Sequence, residues 1–508
     1  MSTTEETTRD GKREYSSLRK QLIILGLLRF SEALAWSTIF PYAFIMMQSL
    51  LPVTTPSAQR DAQAAALASA TVSLFTFGEF VTSVLWTKTS DRIGRKPTLL
   101  IGAVGGCVSA GAFGLARSVP VAVGARLVGG LVNPNVGVVS ACVAEVVRNK
   151  RLQGKAFSIV PFLRGLGSLV GPVIGGYLAE PVKAFPSVFR SNTTFEAYPY
   201  LLPNLVVIVC TAGSAVVLLF FLEETHPGLR GASKFDGLRR GCRRFKVLIG
   251  WGREEGSYEA VSSVGEDIEL HDAPNRADTE RVEPELPPVR PSPWTRQVIL
   301  QVLALSLLAF HKVSSDVIIP IFLATASGPA ERATASNNES SLTPTAGFGM
   351  APPSISTLLL MQAIAAVIAQ LLVVPWTITR WGALRSFRWS SLVFPWLYCF
   401  TPFTAQLVAP LSIIAISVDL LVKGMLVNIG YVASAILITN TAPGPQHLAT
   451  INGVAASLSC LARSVGAAVS GSMFHQGLHI GNLGLPFWTL AGVALVGAVL
   501  SWVLRDEP

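Results

Sequence analysis

The chain has 508 residues, of which half are hydrophobic and only 14% are charged, and its mean hydropathy is +0.49. Soluble domains carry roughly a quarter charged residues, so this composition excludes an ordinary soluble protein and indicates an integral membrane protein. The net charge is +9, but the basic residues lie in short loops beside apolar runs, where membrane topology places them. No RNA-binding motif or zinc-finger spacing is present, so we expect no nucleic-acid partner.

The apolar segments predict twelve membrane-spanning helices, because one such helix needs about 20 apolar residues. The predicted spans are 22–48, 65–87, 98–116, 120–147, 157–179, 200–221, 297–325, 354–378, 386–404, 409–438, 448–476 and 484–504. Spans nine and ten nearly merge, so the boundary between them is the least distinct. The predicted fold class is an all-α integral membrane protein.

One long polar segment, 222–296, divides the chain into two halves of six spans. It is rich in Arg, Glu, Pro and Gly and cannot bury much apolar surface, so we predict a largely disordered cytosolic linker. The other predicted domains are a cytosolic N-terminal tail 1–21, an N-terminal bundle 22–221, a C-terminal bundle 297–504 and a C-terminal tail 505–508.

The loops after spans two, four, six and eight are rich in Lys and Arg, which accumulate on the cytosolic side of a membrane. All four loops lie on one side of a twelve-span chain. We therefore place them and both termini in the cytosol, in a multi-pass protein of the plasma or vacuolar membrane. Two Asn-x-Ser/Thr sequons, at Asn192 and Asn338, fall on the opposite side, where glycosylation occurs.

The two halves resemble each other in sequence, which predicts a parallel internal duplication. Residues 153–167 align with 452–466, and a second alignment is centred on prolines of spans one and seven. The matched pairs include Arg164 with Arg463, Gly167 with Gly466, Pro41 with Pro320 and Glu32 with His311. Parallel six-span repeats build one class of secondary transporter, whose binding site lies at the membrane midplane between the halves.

Three motifs stand out in the N-terminal half. They are SDRIGRKPTLL between spans two and three, Arg-x-x-x-Gly in span four, and Gly-x-x-x-Gly-Pro-x-x-Gly-Gly in span five. Their residues are Asp91, Arg92, Gly94, Arg95 and Lys96, then Arg126 and Gly130, then Gly167, Gly171, Pro172, Gly175 and Gly176. These motifs resemble those of the major facilitator superfamily, and the last is similar to the antiporter motif of twelve-span drug/proton exporters. The wider pattern resembles the fungal branch of zinc-induced-facilitator-like transporters.

The resemblance implies two pseudo-symmetric six-helix bundles and proton-coupled efflux of a small organic molecule, by a monomer without cofactor or metal. The first glycine of the family's loop motif permits close approach of two helices, and Thr87 stands in its place here. No clustered Cys and His ligands support zinc as cargo, and no nucleotide-binding or hydrolase motif supports an enzyme. Proton symport or facilitated uptake of a nutrient, and a non-transporting sensor or scaffold, are the alternatives.

Charged side chains inside the spans are candidates for the proton and substrate cavity, because a charge at membrane depth is costly without water or a partner. The candidates are Glu32, Glu79, Arg126, Arg164, His311 and Asp316. Glu32 follows Arg29 by three residues, so the two are placed to pair on one helix face. Glu79 is alternatively a polar bridge between helices, and His311 is alternatively structural.

The loop motif predicts a cluster of ion pairs at the cytosolic ends of the helices. Asp91 is placed at a helix end. Arg92, Arg95 and Lys96 are expected to face the cytosolic ends of neighbouring helices and to connect the two bundles through ion-pair and charge–dipole contacts. Glu145 ends span four near this loop and is expected to join the same cluster.

The glycines of span five predict close helix packing. Gly167, Gly171 and Gly175 repeat every four residues and share one helix face, where small residues let a neighbouring helix approach. Pro172 removes a backbone donor and favours a kink. We therefore expect a bent, tightly packed span five at the interface between the halves.

Overall fold

The computed structural model describes residues 2–146, 150–189, 194–225, 294–325, 344–443 and 445–505, and every regular element within them is helical. The helices of the first half are α1 Ser2–Ser37, α2 Ala43–Leu50, α3 Ser57–Ile93, α4 Arg95–Gly114, α5 Val119–Leu131, α6 Asn135–Val146, α7 Lys150–Leu178, α8 Pro181–Ala184, α9 Thr194–Ala197 and α10 Leu201–Phe221. Those of the second half are α11 Arg296–Ala324, α12 Pro352–Ile368, α13 Val374–Trp381, α14 Ala383–Phe400, α15 Leu411–Thr441, α16 Pro445–Ile480 and α17 Leu485–Val503. A π-helical segment, Ala369–Val373, joins α12 to α13.

These helices make the twelve predicted membrane crossings. Within the described residues, nine helices are long and apolar enough to span a membrane. Crossing one is made by α1 with α2, crossing four by α5 with α6, and crossing nine by α14. The break in crossing four coincides with Pro134, because proline lacks the donor that an uninterrupted helix needs. The indistinct boundary between crossings nine and ten lies at a 3-10 segment, Thr401–Gln406.

The matched positions of the sequence repeat pack in the same way in both halves. Helix α7 lies along α1, and its counterpart α16 lies along α11. A Cβ atom at Gly167 would meet the carbonyl oxygen of Phe30, and one at Gly466 would meet that of Phe310. The two six-helix bundles are therefore pseudo-symmetric, as the repeat predicted.

The halves touch along α3 and α16 on one side of the molecule. The Ser73 hydroxyl donates to the carbonyl oxygen of Ser464 at 2.9 Å, and the Ser464 hydroxyl donates to that of Ser73 at 3.0 Å. Nearer the basic loops, the hydroxyl oxygens of Ser83 and Ser457 lie 3.3 Å apart. This interface therefore runs from the middle of both helices toward the predicted cytosolic end.

On the other side the halves meet through α7 and α12, at the end opposite the basic loops. The Ser356 hydroxyl donates to the carbonyl oxygen of Pro172 at 2.6 Å, and the hydroxyl oxygens of Tyr177 and Thr357 lie 3.0 Å apart. These contacts hold α7 against α12 at the outer end of the molecule.

The central linker and both sequons cannot be compared with the structure. Residues 226–293 lie outside the described part of the chain, as do Asn192 and Asn338. Their predicted properties stay predictions.

Candidate transport cavity and its charged side chains

Five charged side chains meet where the halves face each other, and we name them the central charge cluster: Arg29, Glu32, Glu79, Arg164 and Arg463. They come from α1, α3, α7 and α16. Arg29 Nη1 lies 2.7 Å from Glu32 Oε2, which confirms the predicted pair, and both side chains are partly exposed.

Glu79 is held much more firmly. It is 4% exposed and accepts a hydrogen bond from Asn133 Nδ2 at 2.7 Å and one from Arg463 Nη2 at 3.3 Å. These partners belong to crossings four and eleven, so the carboxylate joins three helices and both halves. The structure thus shows the polar bridge that was the alternative interpretation of Glu79.

Arg164 differs from Arg463, its partner in the repeat. It is exposed, and no hydrogen bond or ion pair links it to the described residues. The charges that act on it most strongly are those of Arg29, Glu32 and Arg463. The side chain therefore lies in the open space at the cluster without a counter-ion of its own.

Arg126 is buried in the N-terminal half, 6% exposed. Its guanidinium carbon lies 4.3 Å from the centre of the Phe75 ring and 5.9 Å from that of Phe113. Its Nε and Nη2 atoms have no hydrogen-bond partner in the described part of the chain. A Cβ at Gly130 would overlap the carbonyl of Phe75. The Arg-x-x-x-Gly motif thus lets α5 approach α3 and places the arginine on an aromatic face, where cation–π attraction contributes about 2 kcal/mol when water is excluded.

The loop motif forms ion pairs, but Arg95 does not connect the two bundles. Arg95 lies 2.6 Å from Asp91 and 2.8 Å from Glu145, so the prediction that Glu145 joins this cluster is confirmed. Gly94 turns the chain with φ at +104°, a conformation that favours glycine. Among the described residues, the partners of Arg95 all lie in the N-terminal half or in the segment that follows it.

The segment that follows α10 also binds the loop motif. The Glu224 carboxylate accepts hydrogen bonds from the backbone N–H groups of Arg95 and Lys96 at 2.9 and 3.1 Å. Lys96 Nζ donates to the carbonyl oxygen of Leu222 at 2.8 Å. A carboxylate at the N-terminus of α4 is favourable for the helix dipole. The start of the linker is thereby fixed to the loop motif.

Thr87, which replaces the motif's first glycine, faces a glycine on the neighbouring helix. A Cβ at Gly137 of α6 would lie 2.8 Å from Thr87 Oγ1. At this contact the small residue is Gly137 of α6 rather than a glycine of α3, and the two helices still pack closely.

The glycine face of α7 packs within its own half, while α7 itself lies at the interface between the halves, as predicted. Cβ atoms at three positions would overlap crossing one: Gly167 with Phe30, Gly171 with Ser37, and Gly175 with Thr38. Gly176 points elsewhere, toward Ser356 of α12. Every fourth residue lies on one helix face, so the repeat that packs on crossing one excludes its neighbour Gly176 from that contact.

The candidates in crossing seven are paired within the C-terminal half. His311 is 4% exposed, its Nδ1 lies 3.0 Å from the Tyr398 hydroxyl, and its ring packs on Phe394. Asp316 forms an ion pair with Lys312 one turn away. The histidine is thus embedded among aromatic rings, as in the structural interpretation, and the carboxylate already has a partner.

A cavity of about 430 Å³ lies beside the cluster. Helix α15 lines it with Tyr431, Val432, Ala435, Ile436, Thr439 and Asn440. Tyr431 lies near enough to Arg164 and Arg463 to interact with both charges, so the cavity and the cluster form one site.

Sequence reasoning missed two residues of this site, Tyr431 and Asn133. Asn133 had a signal, since it stands in Asn-Pro-Asn at the break of crossing four, whereas Tyr431 had none.

Comparison with known proteins decides the family. The Major Facilitator Superfamily profile matches residues 25–330, and one relative that matches nearly the whole chain is a "Major facilitator superfamily multidrug transporter mfsB" of Aspergillus fumigatus. It is 34% identical over 96% of this chain and 84% of its own length. The chain belongs to the major facilitator superfamily.

Two further proteins of this superfamily show how far the similarity extends. "Protein ZINC INDUCED FACILITATOR-LIKE 1" of Arabidopsis thaliana is 31% identical, over 41% of this chain and 42% of its own length. The xylose transporter XylE of E. coli, in a partially occluded inward open conformation, has a TM-score of 0.62 at 14% identity, covering 97% of this chain and 98% of its own. This likeness shows the shared fold.

Proposed function

We propose that this transporter exports a small organic molecule in exchange for protons by alternating access. The observation that carries the proposal is the position of Glu32, a partly exposed carboxylate between the halves whose ion-pair partner, Arg29, lies one turn away. The antiporter motif of crossing five and the multidrug transporter among the relatives support efflux.

Protonation of Glu32 changes the charge that faces the cavity. A neutral carboxyl releases Arg29, and the cluster then presents one more free guanidinium to the cargo. Such a change alters cargo affinity and the contacts between the halves, which is what coupling requires. Glu79 is less suited to the same task, because its partners come from two other helices and its protonation would leave Arg463 without a counter-ion.

Proton symport is the second candidate, and one observation favours it. The cluster contains three arginines and two carboxylates, so it carries an excess of one positive charge. Protonation of Glu32 would raise that excess and strengthen the binding of an anionic cargo, so proton and cargo would bind together. In antiport they exclude each other, and cargo affinity falls as the pH falls.

The proposal also covers the membrane topology, the oligomeric state and the location of the protein. Both termini and the linker 222–296 lie in the cytosol, the protein works as a monomer in the plasma or vacuolar membrane, and its sequons face the opposite side. Deletion of residues 226–293 separates this proposal from a sensor or scaffold that needs the linker: signalling would be lost from a sensor, whereas transport should persist in a transporter.

The test uses the full chain in proteoliposomes with an imposed pH gradient. We expect compounds that protect an overexpressing strain in a growth screen to be moved by that gradient in wild type, and coupling to be lost in Glu32→Gln. The matched control is Glu180→Gln, whose carboxylate pairs with Lys183 at the outer end of crossing five. Movement of every such compound without regard to the gradient would contradict proton coupling.

A further inference from the structure

The charges in the centre of the membrane region are almost completely paired. The ion pairs are Arg29–Glu32, Glu79–Arg463, Lys312–Asp316 and Asp419–Lys423. Arg126 has no counter-ion but lies on aromatic rings. Arg164 is exposed and has neither a counter-ion nor a ring among the described residues.

An unpaired charge at this depth is costly and persists where it faces water or binds something. The electrostatic neighbours of Arg164 include two further arginines, Arg29 and Arg463, and one carboxylate, Glu32, which is already paired. A cationic cargo would be repelled at this position. A carboxylate is attracted, and the planar guanidinium donates two parallel hydrogen bonds to it.

The wall beside Arg164 suits an apolar body. Tyr431, Val432 and Ile436 of α15 line an open groove of about 430 Å³. Tyr431 is electrostatically close to Arg164. An aromatic ring and branched aliphatic side chains next to an unpaired guanidinium complement a molecule with one charged end and one apolar end.

We infer that the cargo is an amphipathic organic anion whose carboxylate binds Arg164 while its apolar part packs on α15. This inference rests on the proposed proton-coupled transport, because it names the cargo class of the same cavity. It favours the symport form of that coupling, since protonation of Glu32 would strengthen the binding of an anion. Arg463, at the matching place in α16, does not take this role because Glu79 and Cys460 already occupy it.

Two dyes with one xanthene framework and opposite charge test the inference: fluorescein, an anion at neutral pH, and a rhodamine ester, a cation. Binding to the detergent-purified full chain is followed by fluorescence anisotropy. We expect fluorescein to bind wild type and Arg164→Gln to weaken it about tenfold or more, the size of one lost charge-assisted contact. Arg164→Lys keeps the positive charge but cannot donate two parallel hydrogen bonds, so its affinity for fluorescein is expected to lie between those of wild type and Arg164→Gln.

Arg117→Gln is the matched control, since Arg117 is an exposed arginine that stacks on Tyr198 at the outer end, away from the cluster. It should bind fluorescein as wild type does. Thermal unfolding of each variant serves as the folding control. Because the Arg164 side chain is exposed, we expect Arg164→Gln to unfold at the same temperature as wild type. Equal affinity of wild type and Arg164→Gln for fluorescein, no binding of fluorescein to wild type, or tighter binding of the rhodamine ester would each overturn the inference.

Failure of this inference differs from failure of the proposed function. If a pH gradient moves the rhodamine ester in proteoliposomes but not fluorescein, proton-coupled transport stands and the anion site is wrong. If fluorescein binds through Arg164 but no gradient moves any compound, the anion site stands and proton coupling is wrong.

Discussion

Helices α7 and α16 occupy matching places in the two halves, yet their arginines have different surroundings. Arg463 of α16 lies 3.3 Å from Glu79 of the opposite half. Its repeat partner Arg164 of α7 is exposed and has no ion-pair partner among the residues that the structure describes. The same duplicated position thus holds the halves together in one copy and faces the open cavity in the other. The duplication determines the position of the side chain on its helix, and the residues of the neighbouring helix determine whether that side chain is paired or exposed.

The two helices differ in packing as well. Extending the repeat places Gly171 opposite Ser470 and Gly175 opposite Phe474, which is fully buried. Helix α7 therefore keeps small residues where it lies on crossing one, and α16 fills the equivalent space with larger side chains. The two helices share close approach at Gly167 and Gly466, and only α7 continues it at the next two positions of the repeat.

The largest expected effect comes from breaking the close packing of α7. Gly171→Leu should abolish transport while the chain still inserts, because even a Cβ atom there would overlap Ser37. Gly165→Leu is the control on the same helix, since a Cβ there meets nothing within 4 Å. Transport assays on equal amounts of membrane-inserted protein compare the two. Normal transport by Gly171→Leu would show that the contact with crossing one is dispensable.

The next effect concerns the pair that joins the halves. Glu79→Gln or Arg463→Gln leaves one buried charge uncompensated, a change that costs about 3–5 kcal/mol in buried pairs. We expect each single variant to lower the unfolding temperature, and the double variant to lose less than the two losses together. Thermal unfolding of the four proteins completes the cycle. Strictly additive losses would mean that the two side chains do not act as a pair.

The smallest effect is expected from a substitution that gives α16 the glycine found at the matching place in α7. Ser470→Gly removes a side chain that is 2% exposed and whose hydroxyl donates to the carbonyl oxygen of Gly466 at 2.6 Å. Glycine inside a helix costs roughly 1 kcal/mol, so we expect a modest loss of stability and nearly normal transport, measured side by side. A loss of transport as complete as that of Gly171→Leu would mean that both faces are equally constrained.

Much of the fold could be predicted from the sequence, because apolar length and basic loops reflect the bilayer directly. The pairs Arg29–Glu32 and Arg95–Glu145 followed from spacing along one helix and from proximity to a loop. The partner of Glu79 could not be predicted, because Arg463 lies 384 residues away along the chain. The glycine face was predicted as a helix contact, but the helix that covers it, crossing one, could not be predicted, since a helical period identifies a face and not its neighbour.

The contrast between Arg164 and Arg463 is tested most directly by measuring fluorescein affinity and unfolding temperature for Arg164→Gln and Arg463→Gln side by side. We predict that Arg164→Gln loses affinity at an unchanged unfolding temperature, and that the main effect of Arg463→Gln is a lower unfolding temperature. The same pattern in both variants, or the reverse assignment, would contradict the division of roles between α7 and α16.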